Sequence, residues 1–167
     1  LHPETAATLL GLMEPDEADD LRRLMSYADN TAGAMMTPEP VILSPDATIE
    51  QLLDSLAEHN VGALIVSSDG QTLTGIVSER DIVRKLRGVQ SPRSVLVNQI
   101  MSTDVQVASP EESFGALMAA MTEHRVRHIP IIEEEQIVGL VSIGDAVKFR
   151  MDQLEFERDQ LTNYVSG

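Results

Sequence analysis

The sequence predicts an α/β (α+β) fold in which one small unit, strand-helix-strand-strand-helix, occurs twice. Three observations carry this. Gly75-Ile76-Val77-Ser78-Glu79-Arg80-Asp81 returns 64 residues later as Gly139-Leu140-Val141-Ser142-Ile143-Gly144-Asp145. Met36 to Pro45 lies over Met101 to Pro110 at an offset of 65, both copies ending in Ser-Pro. Between these landmarks the apolar residues change from helical to strand spacing at the same place in each copy. A unit of roughly 50 to 60 residues buries too little to stand alone, so the two should pack together.

The elements follow in order. From Pro3 to Tyr27 the apolar positions Ala6, Leu9, Leu10 and Met13, then Ala18, Leu21, Leu24 and Met25, read as two short amphipathic helices broken at Glu14-Pro15. Pro15 suits a first helical turn, and Asp16, Glu17, Asp19 and Asp20 precede Arg22 and Arg23 in the order the helix dipole favours. A solvated face is the ordinary reason for such a charge run. Asp29 to Pro38 is a polar turn that reads as a linker with a short helix.

Ile49, Leu52, Leu53 and Leu56 in the first unit, and Phe114, Leu117, Met118 and Met121 in the second, form equivalent helical stripes. His59 and His124 end these helices, where an imidazole interacts well with the dipole, and neither has metal-ligand spacing. Short β-branched runs follow, Val61 to Val66 and Val126 to Ile132. The turn Ser67-Ser68-Asp69-Gly70 carries a strong hairpin signal, and Glu133-Glu134-Glu135 replaces it in the second copy. Return strands are expected at Leu73 to Val77 and Ile137 to Val141. Arg87 to Ser94 is a Gly- and Pro-punctuated loop. From Ala146 to Val165 a long helix carries Val147, Met151, Leu154, Leu161 and Val165 at alternating three- and four-residue steps, with Arg158 the one polar interruption, a seam for another helix. The organisation read is a helical segment 1–36, a first unit 37–88, a linker 89–100, a second unit 101–150 and a terminal helix extension 151–167.

Composition narrows the function. With 12 basic against 27 acidic residues, a phosphate backbone of nucleic acid is disfavoured as partner and a divalent cation is not. Aromatics are 3% and Trp is absent, so stacking platforms for single strands are missing. The lack of Cys removes disulfides, thiolate metal sites and a cysteine nucleophile, and fits a reducing, cytoplasmic setting. No apolar run spans a bilayer and no signal or transit peptide is evident. A soluble chain is expected, and its start at Leu1 rather than Met suggests a segment of a longer protein. No nucleophile-base pair can be placed, so a binding module is expected rather than an enzyme.

The repeated motif admits two readings. A strand runs into a helix whose N-cap is Ser78 or Ser142, and the first amides of that helix, with the Ser hydroxyl, suit a phosphate. Asp81 and Asp145 in the first turn could accept hydrogen bonds from a ribose diol. Alternatively both motifs are capping boxes, with Asp added for the dipole.

The duplicated Gly-apolar-apolar-Ser-x-x-Asp segments, with His59-Asn60-Val61-Gly62-Ala63-Leu64 and His124-Arg125-Val126-Arg127-His128-Ile129-Pro130, resemble a tandem pair of cystathionine-β-synthase (CBS) domains over about Thr37 to Arg150. The resemblance implies a disc-like module, often a homodimer, that senses adenine nucleotides (AMP, ADP or ATP) in two clefts. For the first it implies Ser78, Arg80 and Asp81, with Val61, Gly62, Ala63 and Leu64 around the base. For the second it implies Ser142 and Asp145, with Thr103, Asp104 and Val105 near the base and Arg127, His128, Ile129 and Pro130 on the adjoining strand. The second cleft is expected to be slightly better equipped, because Arg127 and His128 converge there. A dimer through the CBS faces and the terminal helix is expected.

Glu14 to Ala18 and Ser26 to Pro38 are similar to the junction between the helical N-domain and the CBS pair of MgtE-type magnesium channels. That resemblance implies an alternative, a Mg2+-sensing cytosolic part of a transporter, in which Asp16, Glu17, Asp19, Asp20 and Asp29 meet carboxylates of the CBS pair. The metal ligands themselves are left unassigned.

Overall fold

A computed structural model of the chain describes residue 8 and residues 10–166. The first N-terminal helix read from the sequence lies mostly outside the described residues. The second is α1, Pro15–Ser26, with Pro15 in its first turn. Ala18 is its one buried residue, Leu24 packs partly on the core, and Asp16, Glu17 and Asp19 face solvent as a charge run usually does.

After the short α2 (Ala32–Met35) come β1 (Thr37–Pro38), β2 (Ile42–Leu43), α3 (Ile49–His59), β3 (Ala63–Val66), β4 (Gly75–Ser78) and α4 (Glu79–Lys85). The second unit contains α5 (Phe114–Glu123), β5 (His128–Glu133), β6 (Gln136–Ser142) and α6 (Ile143–Ser166). Its first strand is reduced to a single bridge between Ala108 and Ile131. The helices begin where the sequence supplies caps. Thr48 and Gln51 close a reciprocal capping box on α3, and the Ser113 hydroxyl accepts from the Ala116 amide on α5.

The sheets are not built unit by unit. One has the order β2-β3-β4, the other β1-β6-β5, so β1 leaves the unit it precedes and pairs antiparallel with β6, Thr37 opposite Leu140. The reciprocal exchange is made by Ser102, whose amide and carbonyl bond to those of Ile76 at 2.8 and 3.0 Å. Each core therefore includes chain from the other side. Ala32, Met35 and Met36 pack with Leu117, Ile129, Ile131 and Val141, while Val97 and Ile100 pack with Ile49, Leu52, Leu64 and Val77. Stretches that read as linker in the sequence are thus interior.

Two turns differ from expectation. β3 and β4 form the expected hairpin, but residues 67–74 connect them and the return strand starts at Gly75 rather than Leu73. The cause is Asp69, whose Oδ1 accepts from the Gln71 amide (2.8 Å), the Thr72 amide (2.7 Å) and the Ser67 hydroxyl (2.9 Å), taking those amides from the ladder. These bonds, the one from Thr72 first, hold the Asp69 carboxyl well below its usual range. In the second unit the turn is tight, with Glu134 and Glu135 both in the left-handed region at φ 48° and 66°. The β5–β6 register makes this a two-residue loop, a geometry that normally selects Asn-Gly.

The apolar seam of α6 does not fold back on the molecule. Val147, Met151, Leu154 and Leu161 are all exposed, whereas Ala146 is buried and Phe149 packs on the core. The side chain of Val165 lies outside the described residues. No helix among the described residues is long and apolar enough to cross a membrane.

Candidate functional site

The strand exchange decides what meets what. Because Ser102 is bonded to β4, the chain after it runs across the face of the first unit, and Asp104 and Val105 arrive beside Ser78 and Asp81. The turn between α5 and β5 approaches from the opposite wall with Arg125, Val126, Arg127 and His128. Together with Gly62 and Ile76 they enclose a cleft of about 280 Å³ between the units.

This corrects the expected division into two clefts. Asp104, Val105, Arg127 and His128 line the cleft of the first motif, with Gly62, Ser78, Arg80 and Asp81, while His128 also stays paired with Ser142 across the β5–β6 ladder. The expected advantage of the second cleft goes with them. Val61 and Thr103 are exposed but outside the lining, and Ala63, Leu64, Ile129 and Pro130 are buried in the sheets, where their side chains have no access to the cleft. Seven lining residues were missed: Ile76, Glu79, Arg84, Ser102, Gln106, Arg125 and Val126. Arg84 stands one helical turn beyond Arg80 on α4, a spacing that could have marked it.

The motif's own geometry joins both readings of it. The Asp81 carboxylate Oδ2 accepts from the Ser78 amide at 3.0 Å and the Ser78 hydroxyl at 2.8 Å. Asp145 does the same for Ser142 at 3.0 and 2.7 Å, and its amide donates to the Ser142 hydroxyl at 3.0 Å. Both are capping boxes. The Glu79 amide donates to the Gly62 carbonyl and the Ile143 amide to the Arg127 carbonyl, so the first amide of each helix is already committed within the protein. The cleft sets side-chain cations beside the amide-and-hydroxyl site read from the sequence. What Asp81 leaves toward the cleft is Oδ1, which sits 3.2 Å from the Lys85 ammonium and 3.5 Å from the Ser102 hydroxyl. Lys85 is held in turn by the Ile100 carbonyl at 2.6 Å.

Arg80, Arg84, Arg125 and Arg127 all line this one cleft, in a chain whose net charge is −15. At the repeat-equivalent positions of the other unit stand Gly144, Lys148, Asn60 and Gly62, and Ala63 replaces His128. The duplication has kept the Ser-Asp cap in both copies but four arginines on one side against a single lysine on the other. Arg80 donates to the Arg125 carbonyl at 3.3 Å and so bridges the units. His128, half-buried opposite Ser142 in the β5–β6 ladder, is pushed down by burial, with Arg127 and Arg80 adding to the effect and Asp145 and Glu79 opposing it. It stands in the cleft as a neutral imidazole at pH 7. Among the described residues no group of three or more His, Asp or Glu could hold a metal ion.

Comparison with known proteins agrees with this architecture. The family described as CBS domain matches residues 32–88 and 97–152. The mitochondrial CBS domain-containing protein CBSX3 of Arabidopsis thaliana is 38% identical over 128 residues, which cover 73% of this chain and 62% of that one. The chain thus spans less than two thirds of that relative. The crystal structure of a CBS-domain containing protein from Agrobacterium tumefaciens superposes with a TM-score of 0.65 at 32% identity, over 68% of this chain and 90% of that one. The cytosolic domain of the Mg2+ channel MgtE, in complex with ATP, superposes with a TM-score of 0.73 at 25% identity, over 85% of this chain and 57% of that chain.

Proposed function

Because the chain belongs to the CBS-domain family, whose members are generally regulatory ligand-binding modules, we propose that the cleft at Ser78 and Asp81 takes an adenine nucleotide and reports its presence through the packing of the two units. The observation that carries the reading is the convergence of four arginines on one cleft of an acidic chain. Guanidinium forks match phosphate oxygens in charge and geometry. Arg80 and Arg84 come from the first unit and Arg125 and Arg127 from the second, so a phosphate chain is gripped from both sides. Asp81 Oδ1 is the acceptor available for a ribose hydroxyl, in competition with Lys85. Gly62, Ile76, Val105 and Val126 offer the backbone and aliphatic surface that suits a purine.

The mechanism is linkage: a ligand shifts the two units only by the difference in its affinity for their arrangements. A ligand held by cations on both units favours the arrangement in which they stand close. The complex of MgtE's cytosolic domain with ATP supports the ligand class, and AMP, ADP and ATP differ here in how many of the arginines they engage. The same likeness favours a second reading, a Mg2+-sensing region of a transport protein, in which Asp16, Glu17, Asp19, Asp20 and Asp29 face carboxylates elsewhere.

Calorimetric titration of the chain with AMP, ADP and ATP, each with and without Mg2+, separates the two. The nucleotide reading expects binding on the order of micromolar, about −8 kcal/mol, weakening as NaCl is raised. Heat from Mg2+ alone, with silence for every nucleotide, overturns it in favour of the cation sensor.

A further inference from the structure

The exposed row on α6 identifies its own partner. The helix is held to the body from one side, by Ala146 in the core, Phe149 against Phe114 with ring centroids 6.4 Å apart, and Gln153, whose amide donates to Asn30 at 2.6 Å. Val147, Met151, Leu154 and Leu161 lie on the opposite side, 44–68% exposed. Their steps of four, three and seven residues are those of a coiled-coil seam, with Arg158 occupying the remaining core position.

We propose that two copies of this chain pair antiparallel through α6, with Met151 of each facing Leu154 of the other. Charge sets both the partner and the direction. Along the flanks of the seam the cations Lys148 and Arg150 lie in the N-terminal part and the anions Glu155 and Glu157 one heptad later. Parallel pairing keeps only Arg150 opposite Glu155, whereas a helix with this distribution makes both flank pairings with its copy when reversed. In that register Lys148 faces Glu155 and Arg150 faces Glu157 of the second copy, each pair occurring twice by symmetry. Arg158 then lies over Val147 of the second copy, with its guanidinium free to keep the Asp159 carboxylate it already holds at 2.9 Å. Parallel pairing would instead set Arg158 against its own twin inside the seam. Each body holds its α6 from the face away from the seam, so the two bodies lie outside the pair.

The chain contains no Cys, so single cysteines report the geometry directly. Val147→Cys mixed with Arg158→Cys, under mild oxidation, is expected to yield the heterodisulfide. Leu161→Cys alone is expected to yield none, because at 1.5 Å per residue the two copies of that position lie about 25 Å apart when antiparallel. Leu154→Glu, placed in both members of the mixture, is expected to abolish the heterodisulfide while leaving the thermal midpoint of the body unchanged. The proposal is overturned by a mixture that gives no heterodisulfide, by a homodisulfide from Leu161→Cys, or by a heterodisulfide that survives Leu154→Glu.

Discussion

Arg125 occupies the left-handed region at φ 54°, just past the end of α5, where the first unit has Asn60 at φ 51° past the end of α3. Asn adopts that conformation readily and caps helices with it, whereas an arginine there costs about 1 kcal/mol. The costlier residue is the one whose side chain lines the cleft. Arg125→Asn is therefore expected to raise stability by about 1 kcal/mol in urea unfolding and to weaken ATP binding at least severalfold. An unchanged affinity would remove Arg125 from the site. His128 supplies a pH test. Its folded pKa lies below the unfolded value near 6.5, so the unfolded chain binds the extra proton, and stability falls as pH drops below about 6.5 toward the folded pKa. Unfolding of the wild type and of His128→Gln at pH 7.5 and 5.5 should show a smaller loss in the variant, and equal losses would place the titration elsewhere. At this scale the sequence displayed the Ser-Asp caps, because both ends of each cap lie within one motif. It hid Arg84 and Arg125, whose role depends on which wall they face.

At the scale of elements, apolar runs, alternation and helical periodicity revealed α3, α5, β3, β4, β5, β6 and the long α6, since each carries a regular apolar pattern whether the core buries it, as in β3, or leaves it exposed, as on α6. They could not reveal that β1 and the Ser102 segment change partners. Two-residue strands carry no alternation, and a repeat states that two units match without stating whose edge strand completes which sheet. The crossed cleft assignment followed from that silence. Gly75 shows how closely the exchange is fitted, because a Cβ there would lie 2.8 Å from the Ser102 carbonyl oxygen. A backbone oxygen in a paired strand has little room to retreat. Gly75→Ala should cost about 1–3 kcal/mol and also lower nucleotide affinity, since the displaced segment carries Asp104 and Val105. Loss of stability with full affinity would mean that the segment does not position the cleft.

Across the whole molecule, duplication followed by divergence produces the function we propose. The two units keep one fold and one cap, while Arg80, Arg84, Arg125 and Arg127 are collected on one side of their interface. The acidic surface disfavours anions generally, and the arginine cleft is where the second unit's Arg127 meets the first unit's Arg80. Truncating one charge-assisted contact to phosphate costs about 1.5–3 kcal/mol, roughly ten- to a hundredfold in Kd. The most direct measurement is calorimetry with ATP on the wild type, Arg127→Ala and Lys148→Ala, the last removing the cation equivalent to Arg84 in the other unit. The account predicts a tenfold or greater loss in Arg127→Ala and wild-type affinity in Lys148→Ala. The reverse pattern, with binding lost in Lys148→Ala and retained in Arg127→Ala, would contradict it.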